Sequence, residues 1–315
     1  MPMKMSDQKP DGVQPDFPRG TPVGGVPALV VSGFLGAGKT TLVKHLIRDA
    51  QEQRLRLAVI SNEFGALGID QALLQEAGGA GYVELEGGCV CCQLSNELRD
   101  TLQALWSKIR PDRVVVETSG VALPFETLMT FWREPITDWV GESLAVVVVN
   151  AEQVAQRRDL DGTFEQQVSS ADLLIFNKVD LVPEASLREL EEVLHEMAPD
   201  APILHSVHGE VDGRVLFPSL SSKSISANEV RRRSELMPHT HEAFESQELS
   251  LPDDLTPDQL LSRLQAHQAL RMKGIVHTSE GLKLVQGVGS RIELTTPPSG
   301  IPEDLIGRII IICRK

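Results

Sequence analysis

Residues 28–41 read Ala-Leu-Val-Val-Ser-Gly-Phe-Leu-Gly-Ala-Gly-Lys-Thr-Thr and contain Gly33-x4-Gly38-Lys39-Thr40. No other stretch restricts the fold so much. A β-branched run precedes the glycines and an amphipathic pattern follows them, as a strand–loop–helix unit that cradles phosphate requires. Glycines let the backbone curl until its N–H groups point at phosphate oxygens, and the helix N-terminus behind them adds positive potential. Lys39 is the candidate to reach the β- and γ-phosphates, and the Thr40 hydroxyl the candidate to ligate Mg²⁺.

The pattern around this loop repeats. Short runs rich in Val, Ile and Leu at 28–32, 55–61, 113–117, 144–149, 173–176 and 203–206 read as buried strands of a parallel sheet. Helical patterns at 41–51, 95–109, 124–132 and 184–197 lie between them, and such alternation means βαβ units. The expected fold is α/β: a P-loop NTPase with a mostly parallel sheet flanked by helices, plus a small C-terminal α+β domain. Residues 1–26 hold five of the 19 prolines and read as a disordered tail. The phosphate-loop domain is expected over 27–217, a Ser-, Arg- and Glu-rich linker over 218–244, and the second domain over 245–315. That last part combines one helix (256–267) with strand-like runs at 245–251, 274–277, 283–286, 290–295 and 308–313.

Three further motifs fall at strand ends. Asn177-Lys178-Val179-Asp180 closes the run 173–176. A carboxylate there can accept both N1–H and N2–H of guanine, a pair adenine does not offer, so Asp180 is a guanine selector and Lys178 a cover over the base. Val114-Val-Val-Glu117-Thr-Ser-Gly120 ends another strand. Glu117 can hold Mg²⁺ through water, and Gly120 can bring its N–H close to a γ-phosphate; a Glu capping the next helix is the competing reading. Asn62-Glu63-Phe64-Gly65 ends the second strand, where Glu63 either helps hold Mg²⁺ or belongs to a plain turn.

Three of the four cysteines sit in Gly87-Gly-Cys89-Val-Cys91-Cys92, ahead of the helix expected from Ser95. This spacing puts three soft donors in one loop, able to meet one metal ion through bonds of about 2.3 Å. A nearby helix N-terminus favours thiolate. Three ligands are one short of a closed tetrahedral site, which suits a site that loads and unloads metal. Zn²⁺ fits best, with Co²⁺, Ni²⁺ and Cu(I) also compatible; buried apolar thiols or a redox cluster are the alternatives. His239 and His241 in the linker either bind metal or are plain solvated side chains, His205 and His208 flank a strand end and read as ordinary residues there, and Cys313 reads as core.

Composition narrows the classes. A net charge of −14 disfavours bulk nucleic-acid binding, which needs clustered Lys and Arg. No apolar run reaches membrane-spanning length, and residues 1–27 contain no apolar signal segment. Clustered thiols without an export signal point to a reducing, cytoplasmic setting.

Taken in order, Gly33–Thr41, Asn62–Gly65, Gly88–Cys92, Glu117–Gly120 and Asn177–Asp180 resemble the CobW family of P-loop GTPases, relatives of the nickel-insertion GTPases of urease and hydrogenase. Leu270-Arg-Met-Lys-Gly274 and the strands after it resemble that family's C-terminal domain. The resemblance implies a GTP-dependent metallochaperone. It implies that Gly36, Ala37, Gly38, Lys39, Thr40 and Thr41 bind phosphate and that Thr40 and Glu63 contact Mg²⁺. It implies that Cys89, Cys91 and Cys92 hold the transferred metal, that Glu117 and Gly120 sense the γ-phosphate, and that Asn177, Lys178 and Asp180 read guanine. Asp70 matches the acidic residue of the family's switch segment, a candidate for Mg²⁺ or water positioning. Some relatives carry acids where this chain has Ser61 and Ala66.

The expectation is thus a GTPase of slow intrinsic turnover, using GTP and Mg²⁺, that holds Zn²⁺ and passes it to a client metalloprotein, with no nucleic-acid or membrane partner and homo-oligomerisation left open. Two alternatives stand beside it. A zinc-binding regulatory protein with GTP as a mere ligand would bind metal tightly without nucleotide. A P-loop small-molecule kinase would need a phosphate acceptor.

Overall fold

The protein is described by a computed structural model covering residues 25–61, 81–84, 91–218, 244–252, 255–297 and 306–314, with backbone alone at 81–84, 91–96 and 126. Seven strands build the larger sheet: β1 (Val26–Ser32), β2 (Leu57–Ser61), β3 (Gly81–Glu84), β4 (Arg113–Glu117), β5 (Val140–Asn150), β6 (Leu173–Asn177) and β7 (Ile203–Ser206). Their order is β3-β2-β4-β1-β5-β6-β7, and every pairing is parallel.

Both faces of this sheet are covered, so its strands are apolar at nearly every position. Alternate residues serve the two faces. Leu29 and Val31 join Val59, Val115, Val146 and Val148 beneath α1 (Lys39–Glu52), which presents Leu42, Val43, Leu46, Ile47 and Ala50. Ala28 and Val30 face the other way, toward Leu98, Leu102, Leu105 and Trp106 of α2 (Cys91–Ile109) and Leu128 and Phe131 of α3 (Pro124–Phe131). Further along that face α4 (Ala151–Ala155), α5 (Thr163–Ser169) and α6 (Leu187–Met197) cover Val147, Val149, Leu174 and Phe176. Burying each such side chain stabilises the fold by about 1.5–3 kcal/mol. A short α7 (Gly213–Leu216) follows β7.

The smaller sheet comprises β8 (Phe244–Ser250), β9 (Arg271–Thr278), β10 (Gly281–Val288), β11 (Arg291–Thr295) and β12 (Arg308–Arg314), in the order β11-β10-β9-β12-β8 and antiparallel throughout. α8 (Pro257–Gln265) opens with a capping box between Thr256 and Gln259. Its Leu260 and Leu264 pack on Met272, Val276, Val285, Ile309 and Ile311.

The opposite face of this sheet contributes Phe244, Leu270, Val288 and Ile312 to the same apolar cluster as Ala50 of α1 and Phe217. Polar contacts join the two units as well. Glu142 on β5 pairs with Arg271 and, at 3.4 Å, with Lys273; Asp172 pairs with Arg291, and Ser290 donates to Asp200 at 3.2 Å. Glu142, Asp172 and Asp200 all lie at or before the amino ends of β5, β6 and β7.

Three features differ from the sequence expectations. β3 is not among the expected strands, because its Gly-Tyr-Val-Glu stands between the glycine pairs 78–79 and 87–88, a composition that reads as loop. α4, α5 and α7 are short helices that no long apolar period announces. α2 begins at Cys91 rather than Ser95, because its apolar period runs back from Leu105, Leu102 and Leu98 through Leu94 to Cys91.

Candidate functional site

The phosphate loop joins β1 to α1. Gly33 has φ 137°, and a Cβ there would overlap the Val148 carbonyl of β5; Gly38 has φ 108°, and a Cβ there would overlap the Asn177 amide. Only glycine satisfies both conformation and space at these positions. The loop closes through Ala37 N–H donating to Phe34 O at 3.2 Å and Leu42 N–H to Gly38 O at 3.0 Å. Gly36 and Thr41 are exposed, Ala37 is buried, and Lys39 is 4% exposed with its Nζ 3.5 Å from Phe34 O. Gly38 offers α1 no side-chain cap, and the first turn holds no acid. The N–H groups of that turn thus suit an external anion.

Strand register assembles the adjoining residues. Val31 of β1 and Ser61 of β2 both stand opposite Glu117 of β4. The Glu117 carboxylate, 1% exposed, accepts the Thr40 hydroxyl at 2.6 Å on Oε1 and the Ser61 hydroxyl at 3.1 Å on Oε2. These three side chains supply only oxygen, the hard donor type that Mg²⁺ takes, and they converge beside the phosphate loop. The donor set fits that ion. Gly120 lies close against the phosphate loop: a Cβ there would fall 2.6 Å from Leu35 Cδ2 and 3.0 Å from Leu35 N.

Asn177 ends β6 opposite Asn150 of β5 and Ser206 of β7. Its side chain, 2% exposed, donates to Ala37 O at 2.8 Å and accepts Gly209 N–H at 2.9 Å. It braces the phosphate loop to the segment after β7. Lys178 follows in the left-handed region at φ 63°, opening the 3-10 turn Val179–Leu181, and Asp180 in that turn is exposed. On α1, His45 Nε2 lies 3.1 Å from His208 O, and burial lowers its pKa from the usual imidazole value.

The metal-ligand candidates are less fully placed. Glu63, Asp70 and Cys89 lie outside the described residues. Cys91 and Cys92 are the first two residues of α2. Among the described residues, no group of three or more His, Cys, Asp or Glu side chains is arranged to hold a metal. Register does locate the end of β3, the strand that precedes the cysteine motif in sequence. Ser61 of β2 stands opposite Glu84, the last residue of β3, and also opposite Glu117 of β4. β3 and β4 therefore end at the same level with one strand between them, roughly 10 Å apart at the usual strand spacing. β3 thus ends at the carboxyl edge of the sheet, the edge that carries the phosphate loop.

Sequence reasoning did not single out Ser61, Gly209 or Gln167 as site residues. Gln167 of α5 is fully buried and donates from Nε2 to Gly120 O at 3.2 Å and Ala122 O at 2.9 Å. None of the three has a short-motif signature; their roles arise from chain segments brought together by the fold. Among the described residues no helix is long and apolar enough to cross a membrane.

A parallel sheet with this loop at its carboxyl edge, a guanine-type Asn-Lys-x-Asp turn and a buried acid beside the loop threonine defines a P-loop GTPase. Residues 27–205 match the CobW/HypB/UreG nucleotide-binding domain, and residues 244–315 match the cobalamin synthesis protein cobW C-terminal domain. The zinc chaperone CobW of Sinorhizobium sp is 31% identical over 312 residues, covering 86% of this chain and 87% of that protein. The zinc chaperone CobW of Pseudomonas aeruginosa is 33% identical, covering 85% of this chain and 82% of that one. The crystal structure of Zn(II)-bound YjiA GTPase from E. coli shares the fold, with TM-score 0.50 and 23% identity over 92% of this chain and 94% of that chain. The chain belongs to the CobW/HypB/UreG family.

Proposed function

We propose that this protein is a GTP-hydrolysing metallochaperone that holds Zn²⁺ on Cys89, Cys91 and Cys92 and passes it to a client metalloprotein. One observation supports the coupling of nucleotide to metal: β3, which precedes the cysteine motif in sequence, ends level with β4 at the carboxyl edge of the sheet that also carries the phosphate loop. Thiolates are the soft donors that zinc favours. The names of the zinc chaperones that this chain resembles support zinc as the cargo.

GTP reacts with water to give GDP and phosphate. Gly33, Gly36, Ala37 and Gly38 shape the loop that wraps the phosphates, while Lys39, Thr41 and the α1 N-terminus offset their charge. Asp180 accepts the guanine N1–H and N2–H, Lys178 covers the base, and Asn177 holds the phosphate loop in register with that turn. Thr40 and Glu117 would hold Mg²⁺, with Glu63 and Asp70 of the switch segment as further candidates; the ion would neutralise charge on the β- and γ-phosphates. Gly120 offers its N–H to the γ-phosphate. Loss of that phosphate after hydrolysis releases the Gly120 loop and the switch segment, and the metal-holding arrangement relaxes with them. Among the described residues no arginine is given a catalytic role in this reading, which predicts slow intrinsic turnover.

Metal analysis tests the assignment. Protein purified with GTP and zinc should carry bound zinc, and Cys91→Ala/Cys92→Ala should lose it while still binding GTP. Equal zinc in both proteins would overturn the assignment of the ligands.

A further inference from the structure

Gln167 lies 47 residues from Gly120 in sequence and sits in no motif, yet its side chain is joined to the segment after β4 at two points. Its Nε2 donates to the carbonyls of Gly120 and Ala122. The Ala122 carbonyl also accepts the Ser32 hydroxyl at 3.2 Å, and Thr118 N–H donates to Val31 O at 2.9 Å. The stretch from Glu117 to Ala122 is thus fastened at both ends to β1, and its middle is fastened to α5.

The orientation of the Gln167 amide follows from its partners. Turning it over would set Oε1 against two carbonyl oxygens, so the NH₂ group must face them. Oε1 is then left buried with no hydrogen-bond partner among the described residues. A buried, unpaired acceptor is unfavourable, and it persists here because both donor bonds hold the amide in place. α5 itself is rigidly seated, with Phe164 and Val168 in the core under β5 and β6. Gln167 is therefore a fixed post rather than a mobile surface group.

We propose that Gln167 is a positioning residue for the γ-phosphate. By holding the Gly120 and Ala122 carbonyls it sets the peptide plane before Val121 and the height of the Gly120 N–H against the phosphate loop at Leu35. It touches neither nucleotide nor metal and acts through Gly120. Exposed Val121 and Leu35 flank the same spot, so water competes for this backbone wherever the brace is lost. The proposal rests on the reading of Gly120 as the γ-phosphate contact.

The test compares affinities for a non-hydrolysable GTP analogue and for GDP in Gln167→Leu, Gln167→His and Gly120→Ala. Gln167→Leu should lower the analogue-to-GDP affinity ratio about tenfold, the worth of one hydrogen bond, with GDP affinity kept. Gln167→His carries a ring N–H at nearly the same reach and should restore part of the ratio. Should Gln167→Leu fail to fold, Gln167→Glu keeps the shape, replaces the donor by an acceptor, and is read in the same way. An unchanged ratio, or equal weakening of both ligands, overturns the proposal. If Gly120→Ala lowers the ratio and the Gln167 variants do not, the positioning role alone fails; if none of them moves it, the γ-phosphate reading of Gly120 fails too.

Discussion

The Thr40 hydroxyl donates to Glu117 Oε1 at 2.6 Å across 77 residues of sequence, tying the first turn of α1 to the end of β4. Glu117 accepts Ser61 on its other oxygen, so one buried carboxylate joins the phosphate loop to the strand that leads into the switch segment.

Replacing that carboxylate should separate binding from turnover. Glu117→Gln keeps the shape and loses the charge. Its kcat for GTP should fall about 100-fold, the usual scale for removing one transition-state electrostatic contact. GDP affinity measured without Mg²⁺ should change by less than about threefold, since no phosphate contact is removed. Steady-state kinetics beside equilibrium nucleotide titration distinguishes the two.

Asn177→Ala should destabilise the folded protein by about 1–3 kcal/mol, because the Ala37 carbonyl and Gly209 N–H then lose their shared partner in a buried place. The shift would be read from the denaturant midpoint. Nucleotide affinity should fall as well, for GDP and GTP alike, since the brace acts on the loop rather than on one phosphate.

Asp180→Asn exchanges one acceptor oxygen for a donor. Affinity for GTP should drop at least about tenfold, because a site built to receive two guanine N–H groups then meets one of them with another donor. Xanthosine triphosphate, which has an oxygen in place of the 2-amino group, should recover the loss. Competition titration of the two nucleotides checks both effects.

Glu142 should set the acid limit of the contact between the two sheets. Burial would raise its carboxyl pKa, but Arg271 and Lys273 outweigh that, and the net shift is downward. The folded pKa thus lies below the unfolded one. The stabilisation is complete above the ordinary carboxylate value and is lost as pH falls through the folded value. Glu142→Gln leaves Arg271, 1% exposed, without a charged partner and should cost about 3–5 kcal/mol at neutral pH. The triple change Glu142→Leu/Arg271→Met/Lys273→Met, which leaves neither buried cation behind, should cost far less and remove this acid sensitivity, as unfolding curves at neutral and acid pH would report.

Much of the larger sheet is legible from local pattern. The phosphate loop is readable because Gly33 and Gly38 occupy positions that only glycine tolerates, and the strands because both their faces are buried and so lack polar alternation. Thr40 and Glu117 are readable as candidates, although nothing in the sequence states that they touch. β3 escapes because the glycine pairs 78–79 and 87–88 around it read as loop, and the start of α2 escapes because Cys91 draws attention as a ligand before it is counted as a helix position. Gln167 and the Glu142–Arg271 pair are illegible in principle. Each depends on two segments far apart in sequence meeting in space, and a buried Gln or an Arg at a strand start looks like any other. The segment that bears Glu63, Asp70 and Cys89 lies outside the described residues, so its part in the site rests on motif and register.

The central claim is that nucleotide and zinc affinities depend on each other. Zinc titration of the wild-type protein, once saturated with a non-hydrolysable GTP analogue and once with GDP, tests it most directly. Tighter zinc binding in the triphosphate state, by the same factor with which zinc tightens binding of the analogue relative to GDP, is the predicted result. Equal zinc affinity in the two states would contradict it, because a ligand with no preference between two states shifts neither.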